Sequence, residues 1–219
     1  MRFNGIIIDM DGTLLDTLED LANSMNKVLK GLGYPVHPVE AYRYFTGDGM
    51  EMLARRALPE GCECEETVKR CMKEMDKEYS LHCRENTKLY PGVGELLDWL
   101  EGHRVPKAAL SNKPDGFTKN MAEEFLSQWT FSEIRGESPS TPRKPNPATA
   151  LEIAAGMGLE PGSILYLGDS RTDMQTAVRA GMYAVGALWG FRTAKELTEN
   201  GAGILVETPQ DVIPIIAGG

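Results

Sequence analysis

With 219 residues the chain can build one well-filled core, or one domain carrying a smaller insertion, but not two large independent domains. Hydrophobic residues at 42% and charged residues at 25% match a soluble globular protein, and no apolar run reaches the length of a membrane span. A formal charge of −9 argues against nucleic acid as a partner, and any small anionic substrate needs a local positive site such as a bound cation.

Met1 and Arg2 lead directly into an apolar strand over residues 3–8, unlike a secretory or transit signal, so a cytoplasmic location is expected. The consecutive Ile6, Ile7 and Ile8 predict burial on both faces, as in a parallel sheet, with Asp9 at the carboxyl end. Leu18, Leu21, Ala22, Met25, Val28, Leu29 and Leu32 then recur at helical spacing and stop at Gly33. Helical patterns over 39–45, 48–58 and 65–82 follow, with no strand among them. This block holds Cys62, Cys64, Cys71 and Cys83, whose spacing fits neither a paired C-x-x-C zinc site nor a disulfide scaffold. Free thiols are expected.

From Tyr90-Pro91-Gly92 onward strands and helices alternate. Helices are predicted over 93–100, 115–126, 148–157 and 173–180. Strands are predicted over 107–110, near Phe131, over 164–167, over 183–187 and near 203–206. Repeated strand–helix units imply an α/β fold with a doubly wound parallel sheet. The helical block, residues 15–85, is expected to be an inserted cap domain, with 1–14 and 86–219 forming the Rossmann-like core.

Ligands of open α/β sheets bind outside the carboxyl ends of the strands. Three strand ends here carry polar runs: Asp9 to Leu14, Ser111-Asn112-Lys113, and Gly168 to Asp173. Asp9, Asp11, Asp169 and Asp173 bring carboxylates toward one place, which repel unless a cation neutralises them, and oxygen ligands of this kind suit magnesium. A cation there would let Asp9 attack a phosphoryl group and form an aspartyl-phosphate. Asp11, beyond which Gly12 permits a turn, can act as general acid and then as base for water. The Ser111 hydroxyl, amides near Asn112 and the Lys144 ammonium would complete a cradle for phosphoryl oxygens, with Pro145 and Pro147 stiffening the loop around Lys144.

Each feature has a plainer reading. Asp-x-Asp is often a turn or cap, Lys-Pro is common in loops, and Gly-Asp-Ser after a strand can be a helix N-cap. Their occurrence at successive strand ends, in one order, is what favours chemistry.

Asp9-Met10-Asp11-Gly12-Thr13-Leu14, Ser111-Asn112, Lys144-Pro145 and Gly168-Asp169 through Asp173 resemble the four successive motifs of the haloacid dehalogenase superfamily, and the resemblance spans nearly the whole chain. It implies Asp9 as nucleophile, Asp11 as acid and base, and Ser111 and Lys144 as phosphate binders. It also implies magnesium held by the Asp9 side chain, the Asp11 backbone carbonyl and Asp169, with Asp173 in support. Thr46-Gly47-Asp48-Gly49 with Arg55-Arg56-Ala57-Leu58, and Leu188-Trp189-Gly190-Phe191-Arg192, are similar to the phosphoglycolate phosphatase branch. Gly12, Thr13, Thr46, Gly47 and Asn112 are the expected substrate contacts, with Arg43 a further donor to a second anionic group.

The expected activity is hydrolysis of a small phosphate monoester, first among them 2-phosphoglycolate, by a monomer or weak homodimer that engages neither nucleic acid nor membrane. Asp11 argues against a dehalogenase or phosphonate hydrolase, which on this fold lack a second acidic residue in the first motif. Sugar phosphomutases keep that residue but tend to have an aliphatic side chain where Thr13 stands here. Pyrophosphatase or nucleotidase activity is a third enzymatic option. A phospho-aspartate signalling receiver, or a silent binding protein, would share the pocket without turnover.

Overall fold

The computed structural model describes residues 3–218; Met1, Arg2 and Gly219, the outermost positions of the expected core, lie outside them. The chain begins with β1 (Gly5–Ile8) and β2 (Leu15–Asp16), followed by the helices α1 (Leu18–Gly31), α2 (Tyr42–Phe45), α3 (Met50–Ala57) and α4 (Glu65–His82). It returns through β3 (Lys88–Leu89), α5 (Val93–Gly102), β4 (Lys107–Pro114), α6 (Asp115–Leu126), β5 (Glu133–Glu137) and α7 (Ala148–Gly156). It ends with β6 (Ile164–Gly168), α8 (Arg171–Ala180), β7 (Tyr183–Ala187), α9 (Ala194–Glu199), β8 (Ile204–Val206) and α10 (Val212–Ala217).

The main sheet has six strands in the order β5-β4-β1-β6-β7-β8, and every neighbouring pair is parallel. The doubly wound sheet expected from the alternating pattern is present. Period-two alternation along β1 sorts its isoleucines onto opposite faces. Ile6 and Ile8 join a cluster with Leu97 of α5, Met121 of α6 and Ile216 of α10. Ile7 joins the other, with Ile153 of α7 and Met174 of α8. All three are fully buried, each contributing about 1.5–3 kcal/mol relative to exposure.

Ile8 registers with Ala109 of β4 on one side and Leu167 of β6 on the other. The chain builds outward through β4 and β5, then crosses to β6. The crevice at which that direction reverses therefore opens beyond the carboxyl ends of β1, β4 and β6.

Helices α1 to α4 have a cluster of their own, in which Leu21, Met25 and Leu29 meet Tyr42, Leu53, Val68, Cys71, Met75 and Tyr79. Phe191, which lies after β7, is the buried member from the sheet side. Both connections to the helical block pass through a short antiparallel pair, Leu15 with Leu89 and Asp16 with Lys88. Leu15 belongs to the sheet's hydrophobic cluster.

Several elements differ from the expected ones. β4 runs on to Pro114, four residues past its predicted end. The strand expected near Phe131 is β5, a little further on; Phe131 itself packs against the core as a partly buried side chain. The 39–45 helix is a 3-10 turn, Val39–Ala41, followed by the short α2. The 48–58 helix starts only at Met50, because Gly49 at φ 90° takes a left-handed conformation that a helix cannot continue from.

Candidate active site

Asp9 follows β1 and is tied into the sheet by its amide, which donates to Leu167 O at 2.9 Å. Its Oδ1 accepts the Met10 amide at 2.7 Å and the Lys144 ammonium at 2.6 Å. Lys144 also donates to Asp173 Oδ1 at 2.7 Å and Leu110 O at 3.0 Å, so all three of its protons are engaged. Lys144 is buried, and its loop is fixed by Asn112, whose Oδ1 accepts the Lys144 amide at 2.7 Å and whose Nδ2 donates to Lys144 O at 3.1 Å.

Asp169 leaves β6 with Oδ2 accepting the Phe191 amide at 2.6 Å and Oδ1 accepting the Thr13 hydroxyl at 3.3 Å. Gly12 stands against this carboxylate at φ 87°, where an added Cβ would come within 2.8 Å of Asp169 Cγ. Only glycine fits both constraints. Asp173 sits at the third position of α8 and forms a capping box with Ser170: Oδ2 accepts the Ser170 amide at 3.1 Å while Ser170 Oγ accepts the Asp173 amide. The helix-cap reading of Gly-Asp-Ser therefore holds, and the same aspartate also serves Lys144 through its other oxygen.

Carboxylate oxygens of Asp9, Asp169 and Asp173 lie within 4.8 Å of one another, and all three residues are buried. Burial, then the charge of Asp173, raise the Asp9 carboxyl well above the usual range. The same two causes push Asp169 up to about 7. Burial opposes the Lys144 charge, but Asp173 and Asp9 outweigh it and hold the ammonium firmly protonated. One ammonium, bound to Asp9 and Asp173, against three carboxylates leaves a negative excess in a dry site. A hard divalent cation fits this all-oxygen donor set.

Asp11 is not part of this group of three carboxylates. Its Oδ1 accepts the Thr17 hydroxyl at 2.8 Å and pairs with the Lys113 ammonium at 2.9 Å. The sequence placed Lys113 in the polar run after this strand without a role of its own, whereas here that run continues β4 and buries the lysine. Burial disfavours its charge, and Asp11 and Tyr79 more than restore it.

Asp9, Asp11, Lys113, Lys144 and Asp169 line a cavity of about 50 Å³, compared with the roughly 10–15 Å³ that one water needs. Asp9, Asp11, Ser111, Asn112, Lys144 and Asp169 form its sheet side, and Leu21, Thr46, Gly47, Met50 and Leu53 close it from the helical block. Ser111 Oγ accepts the Lys113 amide at 3.1 Å, which leaves its own proton to donate. Thr13 and Gly12 stand behind the carboxylates and not on the wall. Arg43 does not line the cavity either; it donates to Gly190 O at 3.0 Å. Arg192 takes a place on the wall instead, donating to the carbonyls of Arg43 and, at 2.7 Å, Thr46. Asn112 Nδ2 also reaches Gly47 O at 3.0 Å, so its side chain braces the two sides of the cavity.

The chain is similar to known proteins in sequence and in fold. The phosphoglycolate phosphatase of Pseudomonas putida is 31% identical over 214 residues, 95% of this chain and 78% of its own length. Phosphoglycolate phosphatase 1 of Pseudomonas aeruginosa is 30% identical over the same extent. The crystal structure of a predicted phosphoglycolate phosphatase from Haemophilus somnus, 28% identical, superposes with a TM-score of 0.90 over 98% of each chain. A haloacid dehalogenase-like family hydrolase from Streptococcus pneumoniae, at 22% identity, shares the fold with a TM-score of 0.87 over 98% of each chain. The family model of the haloacid dehalogenase-like hydrolases matches residues 6–187, from β1 through β7 and so across every strand end that faces the cavity, and the chain belongs to that family.

Proposed function

We propose that the protein is a magnesium-dependent phosphatase that hydrolyses a small phosphate monoester through an aspartyl-phosphate on Asp9, with 2-phosphoglycolate as its substrate. The observation that carries this is the buried group of Asp9, Asp169 and Asp173, two of them bound by Lys144, beside a cavity that Asp9, Asp169 and Lys144 line and Thr46 and Gly47 close. The names of the relatives support the substrate class, and the cavity's size favours a compact ester over a macromolecule.

Asp9 and Asp169, with Asp173 in support, are the side chains that would hold magnesium. A bound ion there would supply positive charge to offset the repulsion between the phosphoryl group and the carboxylates and the charge that builds on the phosphoryl oxygens. Lys144 and the amide of Met10 hold Asp9 Oδ1, so Oδ2, which makes no hydrogen bond among the described residues, is free to attack phosphorus. The ester P–O bond breaks, and its electron pair leaves on the substrate oxygen, which takes a proton from Asp11. Asp11, now a carboxylate, removes a proton from water, which attacks the same phosphorus and releases phosphate and free Asp9. Ser111 donates to a phosphoryl oxygen, and the helical block acts as a cap that excludes bulk water during transfer.

The test is turnover of a panel containing 2-phosphoglycolate, pyrophosphate, a nucleoside monophosphate and a sugar phosphate. The expected result is activity that a chelator abolishes and magnesium restores, highest kcat/KM on 2-phosphoglycolate, and none in Asp9→Asn. Turnover in pure Asp9→Asn would overturn the mechanism, and a preference for a bulky sugar phosphate would overturn the substrate.

A further inference from the structure

A polar line runs from the helical block to the site through Tyr79, Lys113 and Asp11. Tyr79, on α4, is fully buried, and its Oη accepts from Lys113 Nζ at 2.9 Å. The same ammonium lies 2.9 Å from Asp11 Oδ1, the oxygen that also accepts the Thr17 hydroxyl. Lys113 lines the cavity with a side chain only 2% exposed. Stability alone does not call for this arrangement, since an apolar side chain at a buried ion pair often packs as well or better. The other cations on the wall are occupied elsewhere: Lys144 holds Asp9 and Asp173, and Arg192 spans the carbonyls of Arg43 and Thr46.

We propose that Lys113 is a positioning residue that aims the Asp11 carboxyl group at the leaving oxygen, and that Tyr79 makes this aim depend on the helical block being seated. The inference rests on Asp11 as the acid and base of the proposed reaction. Lys113 and Thr17 both fix Oδ1, so Oδ2 is the oxygen left for proton transfer. The lysine stem is flexible, and holding its head in one place needs a partner beyond Asp11. Tyr79 is that partner, and it arrives with α4. The acid is therefore aimed only when the cavity is closed to water, which couples proton transfer to closure.

The test compares kcat/KM on two esters: the alkyl phosphate that the parent turns over best, and 4-nitrophenyl phosphate, whose leaving group needs little protonation. This ratio reports phosphoryl transfer to Asp9 without the later attack of water. Tyr79→Phe removes only the hydroxyl and keeps the ring that packs edge-on at 5.3 Å from Phe117. It is expected to lower kcat/KM on the alkyl ester about tenfold, and Lys113→Met about a hundredfold, within the range that a general acid supplies. On 4-nitrophenyl phosphate the loss in each variant is expected to be at least about fivefold smaller than on the alkyl ester. Equal loss on the two esters, or no loss on either in Tyr79→Phe, would overturn the inference. Asp9→Asn and Asp11→Asn run alongside separate the two levels. Activity in Asp9→Asn defeats the phosphatase mechanism itself; a dead Asp9→Asn and an ester-selective Asp11→Asn, with Tyr79→Phe and Lys113→Met both unchanged, defeat only the role given to Tyr79 and Lys113.

Discussion

Asp20 of α1 accepts both the amide and the hydroxyl of Thr87 through Oδ2, each at 2.8 Å. Its Oδ1 accepts the amide and the side-chain nitrogen of Asn86 at 2.9 and 2.8 Å. The carboxylate is 2% exposed, so water cannot take its place. It ties the start of the helical block to the chain that returns to the sheet just before β3. Asp20→Asn turns an amide donor toward groups that already donate, and it is expected to destabilise the protein by roughly 2–4 kcal/mol, the size of a lost charged hydrogen bond plus unmet buried donors. A urea midpoint within error of the parent would mean that Asn86 and Thr87 find other acceptors.

The acidic group makes the metal-free protein sensitive to pH in a defined direction. Burial, then the charge of Asp173, raise Asp169 to about 7 and Asp9 well above the usual range. A carboxyl raised in the folded state favours folding while it is protonated. That contribution is complete below the unfolded value, near 4, and is lost as pH rises through the folded one. Asp48, Asp115 and Asp211, all lowered, lose their stabilising contribution only in acid and do not offset the trend between about pH 5 and 8. With chelator present, Tm is expected to fall across that window, and magnesium to raise Tm more at pH 8 than at pH 5.5. A metal-free Tm that climbs steadily from pH 5 to 8 would contradict the assignment of these groups.

Asp169 and Asp173 are expected to fail in different ways. Asp169→Ala removes a carboxylate whose hydrogen-bond partners among the described residues are an amide and a hydroxyl, so its main cost is a higher magnesium requirement. Asp173→Ala breaks the capping box of α8 and takes an acceptor from the buried Lys144, so its main cost is stability, about 1–3 kcal/mol. Magnesium titrations of activity, with melting curves on the same preparations, separate the two. The reverse order in the titrations would exchange the roles given to them.

The sheet and its three polar strand ends were legible because they depend on local signals. Ile6 to Ile8 and Ile164 to Leu167 are apolar runs buried on both faces, the first leading into Asp9 and the second, after Gly168, into Asp169. The chemistry of Lys113 was hidden by its neighbours: Ser, Asn and Pro beside it carry turn signals, and only pairing with β5 at Glu137 keeps the backbone extended that far. The Leu15–Leu89 pair escapes any periodicity because each strand has two residues. Helix α10 was missed since Val-Ile-Pro-Ile-Ile-Ala has no polar face; its Pro214 is tolerated in the first turn, where no intrahelical donor is needed. Arg192 had a motif around it, but nothing local says that its partners are carbonyls nearly 150 positions earlier in the chain. Arg43 was expected at the substrate for its charge, and its placement on Gly190 O follows from the same contact surface.

That surface gives the last prediction. Arg192 Nη1 donates to Arg43 O and Nη2 to Thr46 O, at the carboxyl end of α2, while Arg43 reaches back to Gly190 O. A planar guanidinium spans two carbonyls at once, and a lysine ammonium on a different stem cannot reproduce that fork. Thr46 and Gly47 form part of the cavity wall, so loosening this contact should disturb the seating of the wall before it disturbs Asp9 or Lys144. Losing about one hydrogen bond, near 1 kcal/mol, corresponds to roughly fivefold in affinity. Arg192→Lys is therefore expected to raise KM about fivefold on 2-phosphoglycolate while kcat stays within about twofold. Asp48, which Arg171 contacts at 3.0 Å from the sheet side, offers a second hold on the same segment, so the fold should survive the change. Steady-state kinetics at saturating magnesium decide the point: a fall in kcat at unchanged KM would place Arg192 in the chemistry and not in the seating of the wall.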